Sequence, residues 1–257
     1  MTARERAQAA AAGAAAGFFG GLFGVGGGVV LVPLLAGLFG LTQHRAHGTS
    51  LAVIIVTAVA AAPVYALHGN VAWITALLVG AGSLLTAPQG ARLATRLSGA
   101  ALKRVFAVFL VLVAARLLWA PPHGTGAHVA QGVARVAFDL VLGGAVGLLA
   151  GFMGVGGGIL AVPAFTLLLG MSQQLAQGTS LVVILGAACA GTTENVRRGN
   201  VATGLVPWLA IGAVAGGPLS SLWVQHLPQA ALARAFALFL VANAVTSWLR
   251  AGRTRTT

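Results

Sequence analysis

The residues of this chain that could bind something are few, and they come in pairs. GVGGG occurs at Gly24–Gly28 and again at Gly154–Gly158, followed closely by Val32-Pro33 in the first copy and Val162-Pro163 in the second. Glycine reaches backbone angles that other residues avoid and lets other groups approach the main chain. Exposed backbone is tolerated at membrane depth only where it is buried or lines a polar cavity. A helix restarting after the break aims free N–H groups back at it, and its dipole adds partial positive charge there. That chemistry suits an anion, held by the amides of Gly26, Gly27 and Gly28 and of Gly156, Gly157 and Gly158. Glycines in membrane helices also serve plain close packing, and Gly13, Gly17, Gly20, Gly21 and Gly24 fit that role. The pattern is not GxGxxG and no GK[ST] follows it, so nucleotide binding is not indicated.

A second paired element is GTSL, at Gly48–Leu51 and Gly178–Leu181. Thr49, Ser50, Thr179 and Ser180 precede apolar runs as helix N-caps do, and hydroxyls beside a helix N-terminus also donate to oxyanions. Gln43, His47, Gln173 and Gln177 stand just before them at matching positions, where they either line a permeation path or sit in wet loops. Arg45 has no basic counterpart, because Leu175 occupies its place; it could gather anions at a mouth or contact lipid headgroups. Asn70 and Asn200 follow glycine, an ordinary turn pattern. Only three acids exist, Glu5, Asp139 and Glu194, and Glu194 is placed to pair with Arg197 or Arg198. Intramembrane acids relay protons or bind cations, so a cation pump is disfavoured. No GxSxG and no HExxH occurs, which leaves no expectation of an enzyme, a metal site or a cofactor.

The elements that must position these residues are membrane-embedded. The chain has 257 residues, 58% of them hydrophobic and 7% charged, and its mean hydropathy is +0.93. A soluble domain carries roughly 25% charged residues. Thr49–Leu67 and Leu205–Leu222 hold no charge, and a span needs about 20 apolar residues. The net charge of +12 then reads as membrane orientation rather than as nucleic-acid binding, since there are no basic runs interleaved with aromatic platforms. The single cysteine, Cys189, excludes an internal disulfide. The basic-then-apolar start resembles a signal peptide, but it matches the start of an internal repeat and is read as part of the fold.

Shifted by 130 residues, the two halves align without a gap: Gly69-Asn70-Val71-Ala72 meets Gly199-Asn200-Val201-Ala202, and Pro88 meets Pro218. The expected organisation is repeat one over 1–120, a linker over 121–136 and repeat two over 137–257, in a single transmembrane domain. Each repeat shows five apolar pieces, in the first about 9–23, 29–41, 49–67, 71–93 and 102–119. The first two flank GVGGG and are either a hairpin of two short spans or two half-helices. Both options return the chain to its starting side, three crossings follow, and the second repeat must be inverted. With the N-terminus inside, Arg4, Arg6, Arg45, Arg92, Arg96, Lys103, Arg104, Arg197, Arg198, Arg250, Arg253 and Arg255 fall inside, while Arg116, Arg135 and Arg234 fall outside. Parallel repeats would give a weaker asymmetry. The fold class expected is an all-α integral membrane protein of two inverted-topology repeats, 8–10 segments in total, with both termini cytoplasmic.

With both motifs placed, the chain resembles the sulfite exporter TauE/SafE family of membrane permeases. The resemblance rests on GVGGGxxxVP at Gly24–Pro33 and Gly154–Pro163, on AxGTS at Ala46–Ser50 and Ala176–Ser180, and on GNV at Gly69 and Gly199. It implies a multi-pass inner-membrane permease for small sulfur-containing anions such as sulfite or organosulfonates, usually an exporter. The lipid bilayer and the anion are the partners expected; a homo-oligomer is compatible with the sequence. Alternating access around the glycine breaks is the expected mechanism, with the paired residues named above, Arg45 included, as the candidate site. An anion channel, or a permease for another small anion such as a carboxylate, is the alternative.

Overall fold

A computed structural model describes residues 1–94, 99–119, 132–153 and 157–253 of the chain. The described residues are all-helical, in the order α1 (Ala3–Phe23), α2 (Gly28–Leu38), α3 (Gln43–Leu67), α4 (Trp73–Ala94), α5 (Gly99–Trp119), α6 (Val133–Met153), α7 (Gly158–Leu168), α8 (Gln173–Arg197), α9 (Val206–Gln225) and α10 (Gln229–Arg253). Among them α3, 133–151 of α6, α8, α9 and 229–249 of α10 are long and apolar enough to cross a membrane. The protein is an all-α integral membrane protein. The bounds of α1, α2 and α3 recur in α6, α7 and α8 at the same 130-residue shift that aligns the sequences.

Local signals account for the helix ends. Thr2 and Glu5 form a capping box at α1: the Glu5 amide donates to Thr2 Oγ1 (3.2 Å) and the Thr2 amide to Glu5 Oε2 (2.7 Å). At its other end Gly24 adopts left-handed angles (φ 68°) and returns its amide to the Gly20 carbonyl. The segment pair around GVGGG is divided unequally: α1 has 21 residues, but α2 has 11 and spans only about 16 Å.

Packing follows the repeat. Gly13, Gly17 and Gly21 let α1 lie against the backbone of α9 at Leu209, Ala213 and Gly217; in the other half Gly143, Gly147 and Gly151 do the same for α6 against α4 at Val79, Ser83 and Ala87. This is the small-residue packing expected where lipid gives no hydrophobic drive between helices. The equivalent helices α3 and α8 lie at the centre and run antiparallel, because the start of α3 (Gly48) meets the end of α8 (Asn195) and the start of α8 (Gly178) meets the end of α3 (Tyr65). Helices α5 and α10 are antiparallel as well, with the Arg104 guanidinium near the start of α5 resting 5.8 Å from the ring centre of Trp248 near the end of α10.

Candidate functional site

The first glycine break meets the start of α7 at the centre of the molecule. Gly26 (φ 71°) and Gly27 (φ 80°) reverse the chain between α1 and α2 with backbone angles open to glycine. The Gly27 carbonyl accepts from Val30 (3.1 Å) and Leu31 (2.9 Å), which starts α2. The amides of Gly26, Gly27, Gly28 and Val29 make no hydrogen bond among the described residues. From the second repeat, Gly158 lies so close to Val25 that an added Cβ would sit 2.8 Å from its Cα. Ile54 and Ile184, equivalent positions on α3 and α8, both press on Gly26. Gly156 lies outside the described residues; Gly157 (φ 61°) precedes α7 as Gly27 precedes α2.

GTS and GNV form a reciprocal clasp. The Ala202 amide donates to Thr49 Oγ1 (2.9 Å), and the Ala72 amide donates to Thr179 Oγ1 (3.0 Å). Gly48 accommodates the Asn200 carbonyl, and Gly178 the Asn70 carbonyl. The threonines therefore do not cap helices, contrary to expectation: α3 and α8 begin at Gln43 and Gln173, and the cap of α8 is Ser172, whose hydroxyl accepts the Leu175 amide (3.2 Å). The asparagines do sit in turns; each donates its amide five residues back, Asn70 to Tyr65 and Asn200 to Asn195, both at 2.8 Å. The residues preceding GTS are likewise helical rather than loop.

A cavity of about 270 Å³ lies between α3, α4, α6 and α8. Its lining includes His47 near one end of the molecule, Ser83 and Ala150 along its length, and Ile54, Ile184 and Gly157 at mid-depth. The structure thus places His47 and Gly157 around the same cavity. Ser50 lies close by on α3, its hydroxyl donating to the His47 carbonyl (2.8 Å). Gln43 and Arg45 are exposed at the same end. Gln173, Gln177 and Ser180 are buried completely on α8, away from the cavity wall. Ser83 and Tyr65 were not picked out from the sequence. Tyr65 donates to the Gly21 carbonyl (2.7 Å) and lies 3.2 Å from Gln177 Oε1; its only signal was being the single tyrosine, just before the first GNV. Among the described residues no group of three His, Cys, Asp or Glu side chains could hold a metal ion.

Comparison with known proteins places the chain in a family. The model of the sulfite exporter TauE/SafE family matches residues 2–117, within the stretch that the sequence reads as repeat one. A probable membrane transporter protein of Xylella fastidiosa is 30% identical over 234 residues, covering 86% of this chain and 87% of the relative. The chain belongs to the TauE/SafE family. A second relative, the probable membrane transporter protein YunE of Bacillus subtilis, is 29% identical over 224 residues, 77% of this chain and 81% of its own length. No solved structure matches the chain.

In this TauE/SafE member the charges are sorted by end. The end that holds the start of α3 and the end of α8 also carries Arg4, Arg6, Arg45, Arg92, Arg104, Arg197 and Arg198, whereas Arg116, Arg135 and Arg234 lie at the other. Glu194 pairs with Arg198 (2.7 Å) on the exposed end of α8, as its spacing predicted; such an exposed pair adds little stability. Asp139, 1% exposed, is held by Arg135 Nε (3.1 Å) and by the Thr75 hydroxyl (3.0 Å), which tie the start of α6 to the start of α4. Neither acid lines the cavity.

Proposed function

We propose that this membrane transporter moves small sulfur-containing anions, such as sulfite or organosulfonates, outward across the inner membrane by alternating access around the two glycine breaks. The observation that carries the reading is the cavity with Gly157, at the N-terminus of α7, at its depth and the arginine-rich end at its mouth. A helix N-terminus offers amide donors and partial positive charge, and a basic mouth raises local anion concentration. A volume of about 270 Å³ lies below the usual range for drug-sized ligands and suits a small ion. The walls hold no carboxylate, which favours an anion over a cation. Sulfur oxyanions and the outward direction come from the family. Inverted membrane orientation of the two repeats is supported by the antiparallel α3 and α8, and a cytoplasmic placement of the basic end follows the positive-inside rule.

The test is flux in proteoliposomes of purified protein against a panel of sulfite, thiosulfate, sulfoacetate, sulfate and chloride. Saturable flux of one sulfur oxyanion, stimulated by the same anion on the far side, is expected. Flux of none of them by folded protein would overturn the substrate class.

A further inference from the structure

Position for position, the repeat maps the cavity wall onto a second set of residues: His47 onto Gln177, Ser83 onto Ala213, Ala150 onto Gly20 and Gly157 onto Gly27. The two sets are packed differently. His47, Ala150 and Gly157 are half-buried around open space, whereas Gln177, Gly20 and Gly27 are fully buried. Among the described residues, a Cβ added at Gly157 would meet nothing nearer than Ala150 Cβ at 3.6 Å, but one added at Gly27 would run into the Ala16 carbonyl. The cavity therefore has a shut counterpart between α1, α3, α8 and α9.

The shut side strands polar groups. Both amide atoms of Gln173, Nε2 of Gln177 and Oγ of Ser180 are buried with no hydrogen-bond partner among the described residues. Positions 173, 177 and 180 lie on one face of α8. Buried polar groups are ordinarily paired, and an unpaired one calls for a missing water, ion or ligand. Close packing alone supplies no reason to place two glutamines there.

We propose that the structure holds one of two exchangeable half-paths open, and that Gln177, the counterpart of His47, lines the other, with Gln173 and Ser180 beside it on the same face of α8, where it contacts the anion when the molecule faces the opposite end. The proposal rests on the permease reading above. In the opposite-facing state α1 and α9 part around Gly27, α4 and α6 close on Gly157, and His47 takes the buried place that Gln177 has here. This is the exchange of conformations between repeats that a pseudo-two-fold arrangement allows.

Cysteine accessibility tests it without knowledge of the substrate. In full-length protein with Cys189→Ala, His47→Cys and Gln177→Cys are probed separately with a membrane-impermeant methanethiosulfonate added to one face of the membrane at a time. His47→Cys should label from one face and Gln177→Cys from the other. Gln177→Cys that labels from neither face, or from the same face as His47→Cys, overturns the proposal. A second variant guards against mere damage: Gln177→Leu removes the stranded Nε2, and although it also removes Oε1 the Tyr65 hydroxyl keeps the Gly21 carbonyl as acceptor, so its melting temperature should hold or rise while flux of the anion identified above falls at least about tenfold, or about 1.4 kcal/mol. A fall in melting temperature, or flux within about twofold of the parent, counts against it. Opposite-face labelling with no flux of any sulfur anion would leave this proposal standing and sink the substrate class instead.

Discussion

At the scale of single residues, the clasp gives the sharpest expectations. Glycine to alanine within a helix ordinarily stabilises by up to about 1 kcal/mol. Here the sign should reverse, because the new methyl of Gly48→Ala would meet the Asn200 carbonyl and that of Gly178→Ala the Asn70 carbonyl; thermal unfolding in detergent should show both variants less stable than the parent. Thr49→Val and Thr179→Val keep the shape but leave the amides of Ala202 and Ala72 without their acceptors, a loss of about 1–3 kcal/mol each. The doubled pattern made these motifs legible in the sequence as important. Their partners were not legible: a threonine after glycine before an apolar run looks like a cap, and nothing local says that its oxygen serves an amide in the other repeat. Ser180 and Gln173 stand out in the sequence as polar residues in and before the repeated GTS motif, and their burial depends on how the surrounding helices pack.

At the scale of elements, the five apolar pieces per repeat appear as five helices, since uncharged length is what the bilayer demands and composition records it directly. Helix α3 starts at Gln43, six residues before the apolar run that begins at Thr49. Gln43 and His47 are polar enough to suggest a loop, yet both are helical, Gln43 exposed at the start of α3 and His47 lining the cavity. The two half-helices predict an unequal response to bulk. Gly27→Leu adds a side chain where there is no room and where φ is 80°, so it should depress melting strongly along with flux. Gly157→Leu is strained as well (φ 61°) but has space for its side chain; it should depress melting less than Gly27→Leu, fill the cavity, and abolish flux of the transported anion in proteoliposomes. Retained flux in both folded variants would remove the breaks from the mechanism.

At the scale of the whole molecule, the sorted charges predict kinetics. Arg45→Gln at the basic end should raise the KM for anion entering from that side a few-fold with kcat little changed, and the difference should shrink as ionic strength rises and the Debye length falls below about 8 Å. Flux assays at low and high salt check this. The charge sorting was legible because loop charge sets orientation residue by residue; the open and shut halves were not, since both repeats carry nearly the same motifs. The clasp has a consequence of its own. Each repeat closes its central helix with a turn borrowed from the other, so neither is finished alone. A gene fragment encoding only residues 1–120 would have its GTS and its GNV facing no partner, and the shortest way to satisfy both is a second copy of itself inserted upside down. The two halves can exchange loop charges freely, but a change in either lock has to be answered by the key that sits in the opposite half.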